Sequence, residues 1–223
     1  MFVFISCYKN KKIWKNIKTM CAKYNVSYVI VVGNPRLKKP KLVKDRLILN
    51  CKDTYCELPD KIYKLNLYFL DFFPQSKGYL KIDDDVIFLQ NPKPYFNEIK
   101  KHNFAGVYPL ISTQEDGTWH INRCKGSNWN HKSINITEWS KEYLQYKKPF
   151  RILAGGATYY VSIKSINAIK NESIVPQTHV LEDVMISNIL AKNRIKAIVP
   201  KNISLINDFI VFKNMKIFQM NAN

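Results

Sequence analysis

The sequence contains no long apolar run. No segment approaches the roughly twenty consecutive apolar residues that a transmembrane helix requires. The first residues, MFVFISCYKNKK, place apolar side chains before lysines, which is the reverse of the order in a secretory signal peptide. We therefore expect no signal peptide and no membrane span, a β-strand at the start of the chain, and a cytoplasmic location (the host cytoplasm if the source is viral).

Paired cysteine spacing is also absent. The five cysteines are scattered, and Cys51 and Cys56, the closest two, do not have the CxxC spacing of a zinc site. An odd number of cysteines without a signal peptide predicts reduced thiols in a cytosolic setting. Disulfide-stabilised and zinc-ribbon folds are therefore excluded.

Acidic residues are scarce. The chain has 17 acidic residues and 35 lysines and arginines, which gives a net charge of +18. Much of this excess positive charge lies in residues 9–46, where Asp45 is the one acidic residue. Such a face attracts nucleic acid, an acidic membrane surface or a phosphorylated substrate, unless it is simply a solvated Lys-rich surface. No nucleic-acid-binding motif is present, so we expect no nucleic-acid partner and favour peripheral contact with a membrane or an anionic acceptor.

The hydrophobic pattern predicts strands alternating with helices. The predicted strands are 2–7, 27–33, 46–50, 78–83, 86–89, 104–110, 157–162 and 195–200. Helices are predicted after residue 12, over 58–73, after the prolines near residue 92, and over 162–171 and 181–193, with loops at 34–44 and 111–136. This alternation indicates one α/β domain over 1–223 with a mostly parallel central sheet flanked by helices.

The segment KIDDDVIFLQN (81–91) places three adjacent aspartates inside an apolar run. Side chains alternate along a strand, so Asp83 and Asp85 are expected on one side and Asp84 on the other. Two carboxylates at the end of a strand form a hard-oxygen site suited to Mn²⁺ or Mg²⁺. An acidic turn is the structural alternative. The motif alone leaves two metal chemistries open, a phosphatase of the haloacid dehalogenase type and a nucleotide-sugar glycosyltransferase.

Four motifs in order resemble the β-1,3-galactosyltransferase and Fringe-like glycosyltransferases. DTYCELPDK (53–61) matches at Asp53, Tyr55, Leu58 and Lys61 and departs at Glu57 and Pro59; GYLKIDDDVIF is similar to the K-x-D-D-D-V-F segment of that family. The segment 138–162 matches at Trp139, Tyr143, Tyr146, Gly155, Gly156, Ala157, Tyr159 and Ser162, and LEDV (181–184) resembles the E-D-V motif. Composition suggests an AT-rich genome, as in some large viruses, so a virus-encoded member is one interpretation.

The resemblance implies a GT-A fold and a metal-dependent, inverting transfer of a hexose from a UDP-sugar to a hydroxyl group of a glycan or glycoprotein. It implies a nucleotide-binding part at about 1–110 and an acceptor-side part at about 111–223. Asp183 is the expected general base, with Glu182 as the alternative, and Asp83 and Asp85 are the expected metal ligands. The expected nucleotide-sugar contacts are Asp84, Ser6, Cys7, Tyr8, Arg46, Asp53, Lys61, Gly155 and Gly156.

One departure concerns the metal site. Many GT-A enzymes use a histidine near the C-terminus as a further ligand, whereas His179, the last histidine here, precedes LEDV. Asn207, Asp208 or water is expected to substitute. A metal-dependent phosphatase and a non-enzymatic, basic carbohydrate- or nucleic-acid-binding module remain the alternative functions.

Overall fold

The structure, a computed structural model, describes residues 1–54, 57–106, 158–176 and 182–198 and the backbone of 210–212. Several predictions fall outside these ranges. They concern Tyr55, the loop 111–136, Gly155 and Gly156, His179, and Asn207 and Asp208.

Strands and helices alternate along the described chain. The strands are β1 Phe2–Ile5, β2 Tyr28–Gly33, β3 Lys41–Val43, β4 Arg46–Leu49, β5 Gly78–Asp83, β6 Val86–Phe88, β7 Phe104–Gly106, β8 Thr158–Ser162 and β9 Ile210–Phe212. The helices are α1 Trp14–Lys23, α2 Leu58–Phe72, α3 Lys93–Ile99, α4 Ile163–Lys170 and α5 Glu182–Lys192, with a short 3-10 helix at Tyr8–Asn10.

The main sheet of the described residues has the strand order β3-β4-β2-β1-β5-β8-β7. Strands β4, β2, β1 and β5 run parallel, with Phe2 opposite both Tyr28 and Leu80 and with Ile30 opposite Arg46. The flanking strands β3, β8 and β7 pair antiparallel. The carboxyl ends of the four parallel strands therefore meet at one edge, where open α/β sheets place their ligands.

Helices cover both faces of this sheet. On one face, α2, α4 and α5 bury apolar side chains such as Ile62, Leu65, Ile166 and Ile186. On the other face, α1 and α3 pack Trp14, Ile17 and Ile99 against Phe4 and Leu80. Alternate residues of each strand belong to the two cores, so the strands read as continuous apolar runs because both faces are buried.

Most of the predicted elements are confirmed, and two predictions were wrong. The segment 34–44, predicted as a loop, contains the edge strand β3, whose residues Lys41 and Leu42 are exposed. The strand predicted at 195–200 is reduced, within the described residues, to one isolated bridge between Ala105 and Ile198. No helix in the described part of the chain has the length and apolar character needed to cross a membrane.

Candidate active site

Polar side chains collect at the carboxyl edge of the parallel strands. Ser6 directly follows β1, Asp53 follows β4 after a short connection, and Asp83 ends β5 with Asp84 and Asp85 in the next turn. The pairing of Ile5 with both Val31 and Asp83 brings these strand ends side by side. Residues far apart in sequence thus form one polar cluster.

Asp53 connects three chain segments at this edge. Its Oδ1 accepts hydrogen bonds from the Gly33 backbone N–H and from Lys61 Nζ, both at 2.7 Å, and its Oδ2 accepts from the Tyr8 backbone N–H at 2.6 Å. Lys61 Nζ also donates to the Ser6 carbonyl at 2.8 Å, and its side chain is 3% exposed. Asp53 and Lys61, which were both predicted as site residues, therefore hold the loops after β1, β2 and β4 together.

Asp84 is held from the β1 side. Its Oδ2 accepts from Ser6 Oγ at 2.6 Å and from Asn10 Nδ2 at 3.0 Å. Ser6 Oγ in turn accepts from the Trp14 indole N–H at 2.7 Å, so the serine hydroxyl is fully oriented. Asn10 and Trp14 are site residues that sequence reasoning missed, because no local pattern links them to an aspartate more than seventy positions away.

Lys81 links the aspartate triplet to the first turn of α5. Its ammonium donates to Asp83 Oδ1 at 2.5 Å and to Glu182 Oε1 at 3.2 Å, and its side chain has no exposed surface. It lies 5.5 Å from the centroid of the Tyr159 ring, a cation–π contact. Sequence reasoning missed this residue, although a lysine inside a buried strand, two positions before Asp83, was a usable signal.

The charges in this cluster are unequal, with one ammonium between two carboxylates. Burial opposes the charged form of Lys81, but the charges of Asp83 and Glu182 outweigh it and raise the pKa of its ammonium. Burial raises the pKa of the Asp83 carboxyl above its usual range, and Glu182 adds to this rise while Lys81 opposes it. Two carboxylates therefore share one buried ammonium at the end of β5, and burial works against ionisation of the Asp83 carboxyl.

Asp85 is the aspartate best suited to bind a cation. Its Oδ1 is buried and, within the described residues, has no hydrogen-bond partner. Burial raises the pKa of this carboxyl, and the neighbouring charge of Asp84 raises it further. No group of three or more His, Cys, Asp or Glu side chains in the described ranges is arranged to hold a metal ion. The carboxylate donors of Asp85 and Asp83 nevertheless fit a hard divalent cation, which would satisfy the buried oxygen.

Glu182 and Asp183 begin α5, as predicted, and both residues are buried. Carboxylates are favoured at this end of a helix by its dipole. Three buried hydroxyl groups on β8 and α5, those of Thr158, Tyr159 and Ser187, have no hydrogen-bond partner in the described residues. They are available to bound water or ligand, since buried polar groups are rarely left unpaired.

The remaining predicted nucleotide-sugar contacts within the described residues are Tyr8, Cys7 and Arg46. Tyr8 is 39% exposed, with its ring 5.6 Å from that of Trp14, and Cys7 is a half-buried free thiol beside it. Arg46 begins β4, and its guanidinium lies 5.7 Å from the Trp14 ring on the α1 face of the sheet. Arg46 is therefore close to Trp14, whose indole N–H donates to Ser6 at the end of β1.

Residues 11–201 match the family model described as galactosyltransferase. The chain belongs to the galactosyltransferase family. Its α/β architecture is accordingly the GT-A fold, and its role is glycosyl transfer, which favours the glycosyltransferase interpretation of the aspartate triplet over the phosphatase. A search of curated proteins gives no match. Membership of this galactosyltransferase family implies a nucleotide-sugar donor and a glycan acceptor.

Proposed function

We propose that this member of the galactosyltransferase family moves a hexose from a UDP-sugar to a hydroxyl group of a glycan or glycoprotein, with Mn²⁺ or Mg²⁺ as cofactor. The observation that carries the proposal is the buried, unpartnered Oδ1 of Asp85 beside Asp83 and Asp84. Asp84 is held by Ser6 and Asn10, and Asp83 by Lys81. Asp85 therefore keeps an oxygen available at the edge where the fold places ligands.

Asp85 and Asp83 are the proposed metal ligands. A bound divalent cation supplies positive charge at the diphosphate leaving group. A site lined by carboxylates would repel a diphosphate without such a charge, because like charges in a partly buried site interact strongly. Asn207 or Asp208, outside the described residues, is proposed to complete the ligand set in place of a histidine.

The nucleotide is proposed to lie against the loops after β1 and β4. Asp53 and Lys61 fix these loops through four short hydrogen bonds, and Ser6 orients Asp84. Tyr8 is exposed at this edge and offers an aromatic face to a uracil ring. Cys7, Arg46, Gly155 and Gly156 stay predictions for the same ligand.

Asp183 is the proposed general base. The acceptor oxygen attacks the anomeric carbon while the carboxylate of Asp183 takes the hydroxyl proton, and the bond from the anomeric carbon to the diphosphate breaks so that UDP leaves with the electron pair. One in-line displacement inverts the anomeric centre. Glu182, whose Oε1 accepts a hydrogen bond from the buried ammonium of Lys81, is the alternative base, and the resemblance to the family motif favours Asp183.

A thermal-shift panel tests the donor and the cofactor. UDP and UDP-hexoses should raise the melting temperature of the wild-type protein in the presence of Mn²⁺, and much less in its absence. Asp85→Ala should abolish both this shift and sugar transfer while the protein stays folded. Full transfer activity in Asp85→Ala would overturn the metal-site assignment.

A second variant separates the base from the donor site. Asp183→Asn should retain UDP binding and lower turnover by about 10²–10⁴-fold, since it removes the group that accepts the proton without removing a contact to the UDP-sugar. Glu182→Gln is the matched control. If Glu182→Gln lost turnover in this way and Asp183→Asn kept it, the two roles would be exchanged.

The basic N-terminal face, residues 9–46, is the proposed contact surface for an anionic acceptor or membrane. Lys38 and Lys39 lie exposed before the edge strand β3, and among these residues Asp45 is the one acid. Lys38→Gln combined with Lys39→Gln should weaken binding to anionic vesicles and make that binding less dependent on salt. Unchanged sedimentation with such vesicles would remove this surface from the proposal.

We treat residues 1–223 as one catalytic domain.

A further inference from the structure

A polar cavity in the described part of the chain lies away from the carboxylate cluster. Its volume is about 360 Å³, within the range of small-molecule sites. Its polar lining is basic or neutral and contains no acid: Lys101, His102, Asn103, Lys164, Arg194 and Lys196. The active-site proposal does not use any of these residues.

The fold places this cavity at the opposite end of the sheet from the aspartates. Asn103 precedes β7 and Lys164 lies in the first turn of α4, which directly follows β8, while Arg194 and Lys196 follow α5. Ser162 at the end of β8 pairs with Gly78 at the start of β5, whereas Asp83 ends β5. Six strand residues separate the two sites by roughly 17 Å, so a ligand in the cavity cannot be the reacting diphosphate.

The cavity carries uncompensated positive charge. Lys101 pairs with Glu98 at 2.5 Å on the surface. Within the described ranges, Lys164, Arg194 and Lys196 form no ion pair with a carboxylate. Lys164, Arg194 and Lys196 are exposed where they line the cavity, so solvent screens their repulsion in the absence of a ligand, and a multiply charged anion in the cavity would attract all three.

Two of these cations occupy positions that are locally unfavourable. Lys164 lies in the first turn of α4, which has no acid, where the helix dipole favours negative charge. Arg194 has a φ of 57°, a left-handed conformation that asparagine and glycine adopt more readily than arginine. An anion in the cavity would interact favourably with the helix end, with the ammonium and with the guanidinium fork.

We propose that this cavity binds a phosphate group, carried either by a soluble molecule or by a lipid headgroup. A phosphomonoester carries nearly two negative charges at neutral pH and three acceptor oxygens, which suits three unpaired cations better than a carboxylate or a sulfate ester. Because the cavity lies far from the aspartates, it would hold a phosphorylated ligand without taking part in sugar transfer from the donor.

The test uses the full chain without divalent metal, so that the aspartate cluster does not contribute. Inorganic phosphate and pyrophosphate should raise the melting temperature more than sulfate or acetate at matched ionic strength. Arg194→Asn combined with Lys196→Gln should weaken this binding about tenfold or more. Asparagine suits the left-handed position, so the variant should fold, and an unchanged urea midpoint checks this.

Lys38→Gln combined with Lys39→Gln is the matched control, because it removes the same charge from a different surface. The proposal is overturned if both variants respond to phosphate as wild type does, or if sulfate and acetate stabilise the wild type as strongly as phosphate. Lys38 and Lys39 are themselves proposed to contact anionic vesicles, so the vesicle assay compares two lipids instead: phosphatidylcholine vesicles containing phosphatidic acid, and vesicles of equal charge containing phosphatidylserine. Loss of cosedimentation with phosphatidic acid but not with phosphatidylserine in the Arg194 and Lys196 variant indicates a lipid headgroup, and loss of the phosphate response alone indicates a soluble ligand.

Discussion

Replacing Lys81 by methionine should destabilise the fold far more than an ordinary lysine substitution. Methionine keeps much of the unbranched side chain and removes only the ammonium and its bonds to Asp83 Oδ1 at 2.5 Å and Glu182 Oε1 at 3.2 Å. Two neighbouring carboxylates would then lose their common partner. Glu182 is the more severe case, because its side chain is 5% exposed and water cannot replace the ammonium.

The magnitude follows from that burial. Removing one partner of a buried ion pair typically costs about 3–5 kcal/mol, which is a large share of the 5–15 kcal/mol that stabilises a typical domain. In urea, this corresponds to a midpoint lowered by about 2 M. Lys77→Met, which removes a charge from an exposed lysine just before β5, should change stability by no more than about 0.5 kcal/mol.

Equilibrium urea unfolding followed by circular dichroism measures these differences. The double variant Lys81→Met with Glu182→Gln should recover about 1–3 kcal/mol relative to Lys81→Met alone, because the most buried unpaired charge is then removed. Equal midpoints for Lys81→Met and Lys77→Met would refute the reasoning, as would a double variant no more stable than Lys81→Met.

Three further predictions concern other parts of the fold. Gly78→Ala should cost on the order of 2 kcal/mol in urea unfolding, because Gly78 has a φ of 141° and an added Cβ would clash with the Val161 carbonyl oxygen; a wild-type midpoint would contradict this. Asp53→Asn should weaken UDP binding in calorimetry and cost about 2 kcal/mol, since Lys61 would lose its carboxylate; unchanged UDP affinity would argue against the nucleotide-side role. Partial burial of Asp45 opposes its ionisation, but hydrogen bonds from Lys18 and Tyr28 outweigh burial and lower the pKa of its carboxyl. Its contribution is therefore present above about pH 4 and lost as the pH falls through the lowered pKa, so the melting temperatures of wild type and Asp45→Asn should differ near neutrality and converge in acid; a constant difference would show that ionisation is not involved.

The parallel strands could be predicted from sequence because each is buried on both faces and forms an apolar run. Segments such as FVFI and YVIVVG carry this information locally. Strand β3 has no such signature, since Lys41 and Leu42 are exposed and the strand is defined by antiparallel pairing of Leu42 with Leu47. The segment that begins at Ile195 is the opposite case. Its apolar residues predict a strand, but within the described residues only Ile198 forms a β-bridge, which is to Ala105.

The composition of the site was predictable, but its connections were not. The aspartate triplet, Asp53 and the acids of α5 are recognisable as motifs in one dimension. The bond from Lys81 to Glu182 spans 101 positions, and the bond from Ser6 to Asp84 spans 78. Such contacts depend on strand order and register, which no local pattern of the sequence specifies.

The three adjacent aspartates have different roles because strand alternation ends at Asp83. Asp83 points with Lys81 to the face covered by α5, and Asp84 turns to Ser6 and Asn10 after β1. Asp85 is left with a buried, unpartnered oxygen in the described structure. A triplet that looks like one negative cluster in sequence is therefore distributed over a buried lysine, a set of neutral donors and a position suited to an added cation. Asp84 still raises the pKa of Asp85 by charge repulsion, so Asp85, which has the unpartnered oxygen, is the position most dependent on an added cation.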